Sequence, residues 1–328
     1  MTEVGASSFD AAQAAALRAL ADSDPAKRQI AVMQLEDVAG PEAVEPLIGA
    51  LDDADAVVRR LAVGLLEELG DARAVGPIIR RLLDPDRDVR DAASSALRNF
   101  RGEDAATPMI DALGHPDAEV RRWVIVGLRE LKDLRAVSPL LHALDDDSAA
   151  VRREAVITLA YLRLPESVEP LRRRLGDPDE NVRRVVVGAL AYFVGPALLD
   201  DFVRALADSD WRVRAESAIV LGRTGLGGAI PALRAALSDP YWQVQKEAIA
   251  SLGRLAALGA VPELLGFLES PTADLRRAAA YALGEIKTSR ATARLRELAN
   301  DPDVEVRKAA TRSLEAILKN KERTEKDN

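Results

Sequence analysis

Apolar residues recur along this chain on a helical rhythm nested inside a much longer one. Between Asp86 and Phe100, Val89, Ala93, Ala96, Leu97 and Phe100 fall at helical spacing and line one stripe of an α-helix. The same stripe returns every 31 residues. Its marker is Val-Arg, at Val58-Arg59, Val89-Arg90, Val120-Arg121, Val151-Arg152, Val182-Arg183 and Val213-Arg214, continuing as Val244-Gln245, Leu275-Arg276 and Val306-Arg307. One step earlier stands Arg28, in a degenerate first copy. A leucine follows each marker by seven residues in all ten copies, from Leu35 to Leu314.

A second apolar set fills the interval between markers: Leu47, Ile78, Met109, Leu140, Leu171, Phe202, Leu233, Leu264 and Leu295. Each copy therefore reads as two helices. In the third copy the marker helix spans roughly Asp86 to Phe100, with Asp86 as its N-cap. The partner helix spans roughly Asp104 to Leu113, with Pro108 near its first turn, where a missing N–H matters little. From about Asp201 the prolines shift by a residue or vanish while the leucine register holds, so the stack continues through a loop variation. A 31-residue pair cannot bury both of its faces alone; stacking on its neighbours completes the core. Residues 1–23 read as an N-terminal capping helix, 24–318 as the repeat array and 319–328 as a charged, disordered tail.

The segments DPDRDVRDAASSALRNF and DPDVEVRKAATRSLEAI, with the linker Gly70-Asp71-Ala72-Arg73-Ala74-Val75-Gly76-Pro77-Ile78, resemble the short HEAT repeats of the phycobilin-lyase-like (E–Z) class. The resemblance implies an all-α fold, an alpha-alpha superhelix: a right-handed HEAT-repeat solenoid of ten helix pairs, its marker helices on the concave side. Relatives in that class include bilin lyases, bilin chaperones and adaptor proteins. The shared motif is structural and carries no catalytic signature.

Composition narrows the chemistry. Hydrophobic residues make up 48% and aromatics only 4%, so the core is built from Ala, Leu, Val and Ile. A net charge of −8 opposes nucleic acid and anionic membranes. The absence of cysteine excludes disulfides, zinc–thiolate sites and thiolate catalysis. The opening MTEVGASSFD has no signal-peptide pattern, and charges interrupt every apolar run before about 18 residues, which points to a cytoplasmic protein without a membrane span. The two histidines, His115 in a turn and His142 on a partner helix, form no metal motif, and no phosphate loop or nucleophile elbow is present. Gly225-Leu226-Gly227-Gly228 follows no strand and reads as an inter-helix loop.

The clearest functional cue is a row of side chains just after each marker. Seven of its ten members are basic, among them Arg122, Arg153, Arg184, Lys246 and Arg277. On the same helix face, three before and five and nine after the marker, stand Trp211, Trp242, Tyr281, Tyr161 and Tyr192, five of the chain's seven Trp and Tyr. Such residues dominate interface hot spots. The expectation is a non-catalytic scaffold or adaptor gripping a partner protein or peptide on the concave face, with no cofactor. The alternative is handling of a bilin, tetrapyrrole or other anionic aromatic cofactor, with a lyase-type activity included, in which Arg153, Arg184 and Lys246 pair with carboxylates. The marker arginines read as structural, a ladder of ion pairs to Asp of adjacent layers. Glu154, Glu216 and Glu247, two residues after their markers, read as ordinary surface charge.

Overall fold

A computed structural model describes residues 3–193 and 195–326. These form twenty α-helices joined by turns of 3-10 helix, with no strand among the described residues. The chain divides into two compact units, Met1–Ser167 and Val168–Asn328. The first holds α1 (Glu3–Ala19), α2 (Pro25–Glu36), α3 (Val44–Ala50), α4 (Ala56–Leu69), α5 (Val75–Arg81), α6 (Arg87–Ala96), α7 (Glu103–Asp111), α8 (Ala118–Leu131), α9 (Val137–Ala143) and α10 (Ala149–Leu162). The second holds α11 (Val168–Arg173), α12 (Glu180–Leu190), α13 (Leu199–Ala205), α14 (Trp211–Arg223), α15 (Ile230–Ala235), α16 (Trp242–Arg254), α17 (Val261–Phe267), α18 (Ala273–Ile286), α19 (Thr292–Leu298) and α20 (Val304–Lys326). Even-numbered helices carry the markers; odd-numbered ones are their shorter partners.

Local chemistry sets the boundaries. Asp55, Asp86, Asp117, Asp179 and Asp210 each cap a marker helix by accepting an amide of its first turn. Pro46, Pro77, Pro139 and Pro170 take the third position of α3, α5, α9 and α11, where no intrahelical N–H bond is due. The fourth partner helix departs from this plan. Gly102, at φ 88°, lets the chain turn into α7 at Glu103, so Pro108 lies inside the helix and not in its first turn. At the other end α20 runs to Lys326, so residues 319–326 are helical where composition alone suggests disorder. Lys, Glu and Arg are good helix formers, and here they extend a helix already nucleated by packing.

The core lies between the two helix layers of each unit. The marker leucines from Leu35 to Leu283 are buried, and Leu314, in the last repeat, is half-buried. Leu47, Ile78, Met109, Leu140, Leu171, Phe202, Leu233, Leu264 and Leu295 are fully buried opposite them.

A polar interlock ties a repeat to its successor at six described steps. Arg59 donates Nε and Nη2 to both carboxylate oxygens of Asp84, 25 residues on, at 2.9 and 2.7 Å. Its Nη1 bonds the carbonyls of Asp53 and Ala54, and Asp84 also accepts the amide of Asp86. The same fork joins Arg28 to Asp53, Arg121 to Asp146, Arg183 to Asp208, Arg214 to Asp239 and Arg276 to Asp301. Bidentate geometry with all three guanidinium nitrogens engaged is the condition under which a buried ion pair holds its position. Two steps break the series. His115 replaces the aspartate opposite Arg90 and accepts the Asp117 amide through Nδ1 at 3.0 Å. At the eighth step both members change, to Gln245 and Ser270.

Marker helices of the second unit also approach to backbone contact. A Cβ on Gly222 of α14 would stand 2.8 Å from Cα of Ser251 on α16. One on Gly253 would stand 2.7 Å from Cα of Ala282, and one on Gly284 2.9 Å from Cα of Ser313.

Candidate binding surface

The basic row sits on marker helices of both units; Arg122, Arg153, Lys246, Arg277 and Lys308 each meet a carboxylate of their own helix, while Arg184 on α12 acts on Glu216 of α14. Arg122 pairs with Glu119 at 2.6 Å and lies 4.2 Å over the ring of Trp123. Arg153 is 3.3 Å from Glu154, and Lys246 is 3.1 Å from Glu247. Arg277 pairs with Asp274 one turn earlier. The row is therefore a file of local ion pairs, with far less free positive charge than its sequence suggests.

The glutamates two residues after the marker are not ordinary surface charge. Glu154 is buried and accepts from Arg129 at 2.7 Å as well as from Arg153. Burial pushes the Glu216 carboxyl above its usual range, against the pull of Arg184 and Arg223. This position faces the seam between successive marker helices: Arg129 on α8 reaches Glu154 on α10 across it, and Glu216 lies against Gly188 of α12. Sequence spacing fixed the helix face but not how closely its neighbour covers it.

The five selected aromatics do not form one patch. Tyr161, in the first unit, is 46% exposed, with the Lys132 ammonium 5.2 Å from its ring. In the second unit Tyr192 is 61% exposed just beyond α12, and Tyr281 is 37% exposed in the middle of α18. Trp211 and Trp242 open α14 and α16 at the opposite end of the layer. Twelve residues of register separate the tryptophans from Tyr192, about 18 Å along a helix.

Around the tryptophans a tighter group does form. The Trp211 ring stacks on Tyr241, with centroids 5.9 Å apart and planes 14° from parallel. Arg214 lies 5.5 Å over Tyr241 and Arg212 5.7 Å over Trp211. Trp242 is 39% exposed, its ring 5.9 Å from the Lys246 ammonium, and borders an open cavity of 610 Å³ between α16 and the next repeat. Tyr241 was not among the residues selected from sequence. The signal was there: it precedes Trp242 and stands thirty residues after Trp211. A search confined to one register misses a stack that joins neighbouring registers.

No helix is long and apolar enough to cross a membrane, and no group of three or more His, Asp or Glu that could hold a metal occurs among the described residues.

Paired helices stacked on a fixed period, with the core between the two layers, define an α solenoid. A family model of HEAT repeats matches residues 12–98, 77–160, 106–180, 168–241 and 230–315, and the chain belongs to the HEAT-repeat family. Among solved structures it is similar to an engineered protein (TM-score 0.51, 21% identity, covering 93% of this chain and 98% of that one). It is similar to Escherichia coli YibA (TM-score 0.55, 21% identity, 79% and 96% covered). It is also similar to Kap95p in complex with RanGDP (TM-score 0.66, 15% identity), spanning 93% of this chain and half of Kap95p. At these identities the likeness concerns the fold. No curated protein matches the chain in sequence.

Proposed function

We propose that this chain is a non-catalytic adaptor that holds a segment of a partner protein against its marker-helix layer, with Trp211, Tyr241 and Trp242 as the anchor. The observation that carries this reading is the aromatic group at the start of α14 and α16, held open to solvent by stacking and by flanking cations. Exposed Trp and Tyr beside Arg supply large contact area with little rotamer entropy to lose. Close packing of marker helices in the second unit supports placing that layer on the inner, concave side, since neighbours crowd at the smaller radius. Kap95p, similar in fold, is seen with RanGDP and with Nup1, which shows the architecture in partner-binding use. Within the second unit Tyr192, Tyr281, Arg184, Lys246 and Arg277 would then extend contact away from the anchor; in the first, Tyr161, Arg122 and Arg153 would offer contacts of their own, and the location would be cytoplasmic.

Within HEAT repeats the Asp-x-x-x-Arg segments favour the phycobilin-lyase-like class, but an anionic tetrapyrrole is the poorer occupant. Arg153 and Lys246, which would meet its carboxylates, already face Glu154 and Glu247. The test is recovery of partners from native cells on the intact chain and on Trp211→Ala/Trp242→Ala, with biliverdin and haemin titrated in parallel. Partners lost with the double variant, and unchanged bilin and haem spectra, are expected. Equal recovery on both proteins overturns the adaptor reading at this site, and a saturable spectral shift restores the cofactor one.

A further inference from the structure

The cavity beside Trp242 coincides with the eighth step of the Arg–Asp ladder, where both partners are missing. Gln245 stands in the arginine's place and Ser270 in the aspartate's, and both line the cavity. Elsewhere the guanidinium spans the gap between repeats and Nη1 bonds two carbonyls. Gln245 is shorter and uncharged, and keeps one of those bonds, from Nε2 to the Asp239 carbonyl at 2.8 Å. Ser270 retains only the loop duty of the aspartate, accepting the Thr272 amide at 3.2 Å. The neighbouring junction in the same unit, Arg276 with Asp301, is closed by the usual fork.

The walls have a definite chemistry. Trp242, Phe267 and Leu275 give an apolar, aromatic side. Glu263 and Glu269 give a carboxylate side, in which Glu269, largely exposed, holds Arg294 at 2.9 Å through Oε1. Glu263 accepts from Arg234 through Oε1, and its Oε2 is buried with no hydrogen-bond partner. The Arg234 hydrogen bond holds the Glu263 carboxyl below the ordinary glutamate range, so it is ionised at neutral pH. No lysine or arginine is among the residues that line the cavity, whereas an arginine occupies the corresponding position at the six described ladder steps.

We infer that this cavity receives an arginine side chain from an extended segment of the partner protein, which takes the place of the missing ladder arginine. The guanidinium would stack on Trp242 and meet the carboxylate wall, a cation on an aromatic face with an anion beside it. A neutral or acidic side chain gains neither contact. The inference rests on the adaptor reading and adds the chemistry of the recognised residue.

The probe is a fluorescein-labelled library of decapeptides with one fixed central arginine, titrated against the full chain by anisotropy. The same library with citrulline at that position has the shape without the charge. The second protein is Gln245→Arg/Ser270→Asp, which rebuilds the ladder pair and fills the site from within; circular dichroism checks that it melts no lower than the parent. The inference requires at least tenfold preference for arginine over citrulline in the parent, and at least tenfold weaker arginine-library binding in the rebuilt protein. No detectable binding, equal binding of the two libraries, or undiminished binding to the rebuilt protein overturns it. Partners retained by the rebuilt protein but lost from Trp211→Ala/Trp242→Ala would refute the arginine pocket alone and leave the adaptor reading standing.

Discussion

The two units use the same repeat, yet they space their marker helices differently, and one register position shows how. Eight residues after the marker, the first unit carries Glu36, Glu67, Arg98, Arg129 and Ala160, while the second carries Ala191, Gly222, Gly253, Gly284 and Glu315, so glycine occupies three successive copies of the second alone. In the first unit two of those side chains bridge the seam: Glu67 accepts from Asn99, and Arg129 bonds Glu154 and Thr158. At the three glycines of the second the side chain is absent and the next helix fills the space to its backbone, with Ser251, Ala282 and Ser313 opposite the glycines. One repeat thus tolerates two seams. The polar seam is bridged by charged and polar side chains; the glycine seam brings backbones together and depends on volume. What the units share is the Arg–Asp interlock at the other end of the marker helix.

The largest effect should come from that shared element. Asp84 has a side chain with no exposure, and Arg59 is buried against it. Asp84→Ala strands the guanidinium and should cost about 3–5 kcal/mol in chemical denaturation. A loss under about 1 kcal/mol would show that the interlock is ornamental and that the seams alone hold the repeats.

Next comes the glycine seam. Gly222→Val should destabilise by about 2–3 kcal/mol, because its Cβ meets backbone that cannot rotate away. Neutral behaviour would erase the contrast between the units.

The third test uses pH. Burial pushes the carboxyls of Glu216 and Glu285 in the second unit up, Arg184 and Arg254 opposing in part. A carboxyl whose folded pKa exceeds its unfolded one weakens the fold at neutral pH; the penalty fades as pH falls through the raised folded value and is gone below the ordinary value near 4.5. Glu216→Gln should therefore raise the free energy of unfolding at pH 7 by about 1 kcal/mol or less, and change little at or below pH 4. The ladder aspartates run the other way. Hydrogen bonds from Arg28 and Arg276 hold Asp53 and Asp301 below their ordinary value near 3.8. At Asp84 burial is the largest influence and pushes up, but the Arg59 bonds, the Asp86 amide and the charges of Arg59 and Arg81 together outweigh it. Their contribution is complete above the ordinary value and is lost as pH falls through the folded ones. An Asp301→Asn protein should thus differ from the parent at pH 7 and converge with it in strong acid.

The smallest effect is the mirror of the second. Gly64 on α4 has nothing within 4 Å of where its Cβ would stand. Gly64→Ala should stabilise the first unit by about 0.5–1 kcal/mol through helix propensity alone.

Most of the fold was legible because it repeats. A period of 31 residues carried through ten copies fixed the helix pairs, the buried leucines and the Arg–Asp ladder before any coordinates. The losses occurred where a single copy departs from the average, as at Gly102, which starts α7 early and places Pro108 inside it. The candidate surface was less legible for a different reason. Periodicity assigns a residue to a helix face, but burial on that face depends on how near the next helix comes. Glu154 and Glu216 were misjudged on that account, although glycines at one register in α14, α16 and α18 already announced the close approach. The Trp211–Tyr241 stack was missed because side chains of one repeat lean onto the next, so partners need not share a register.

The ladder aspartate holds the preceding repeat with its two oxygens and orders its own loop with one of them. Melting one repeat therefore loosens the turn of the next, and loss of order travels down the chain like a run of stitches. Where a stitch is missing, at His115 and at Ser270, propagation should halt or begin. Amide exchange would then rise in steps at those two points, dividing the array into blocks that open separately.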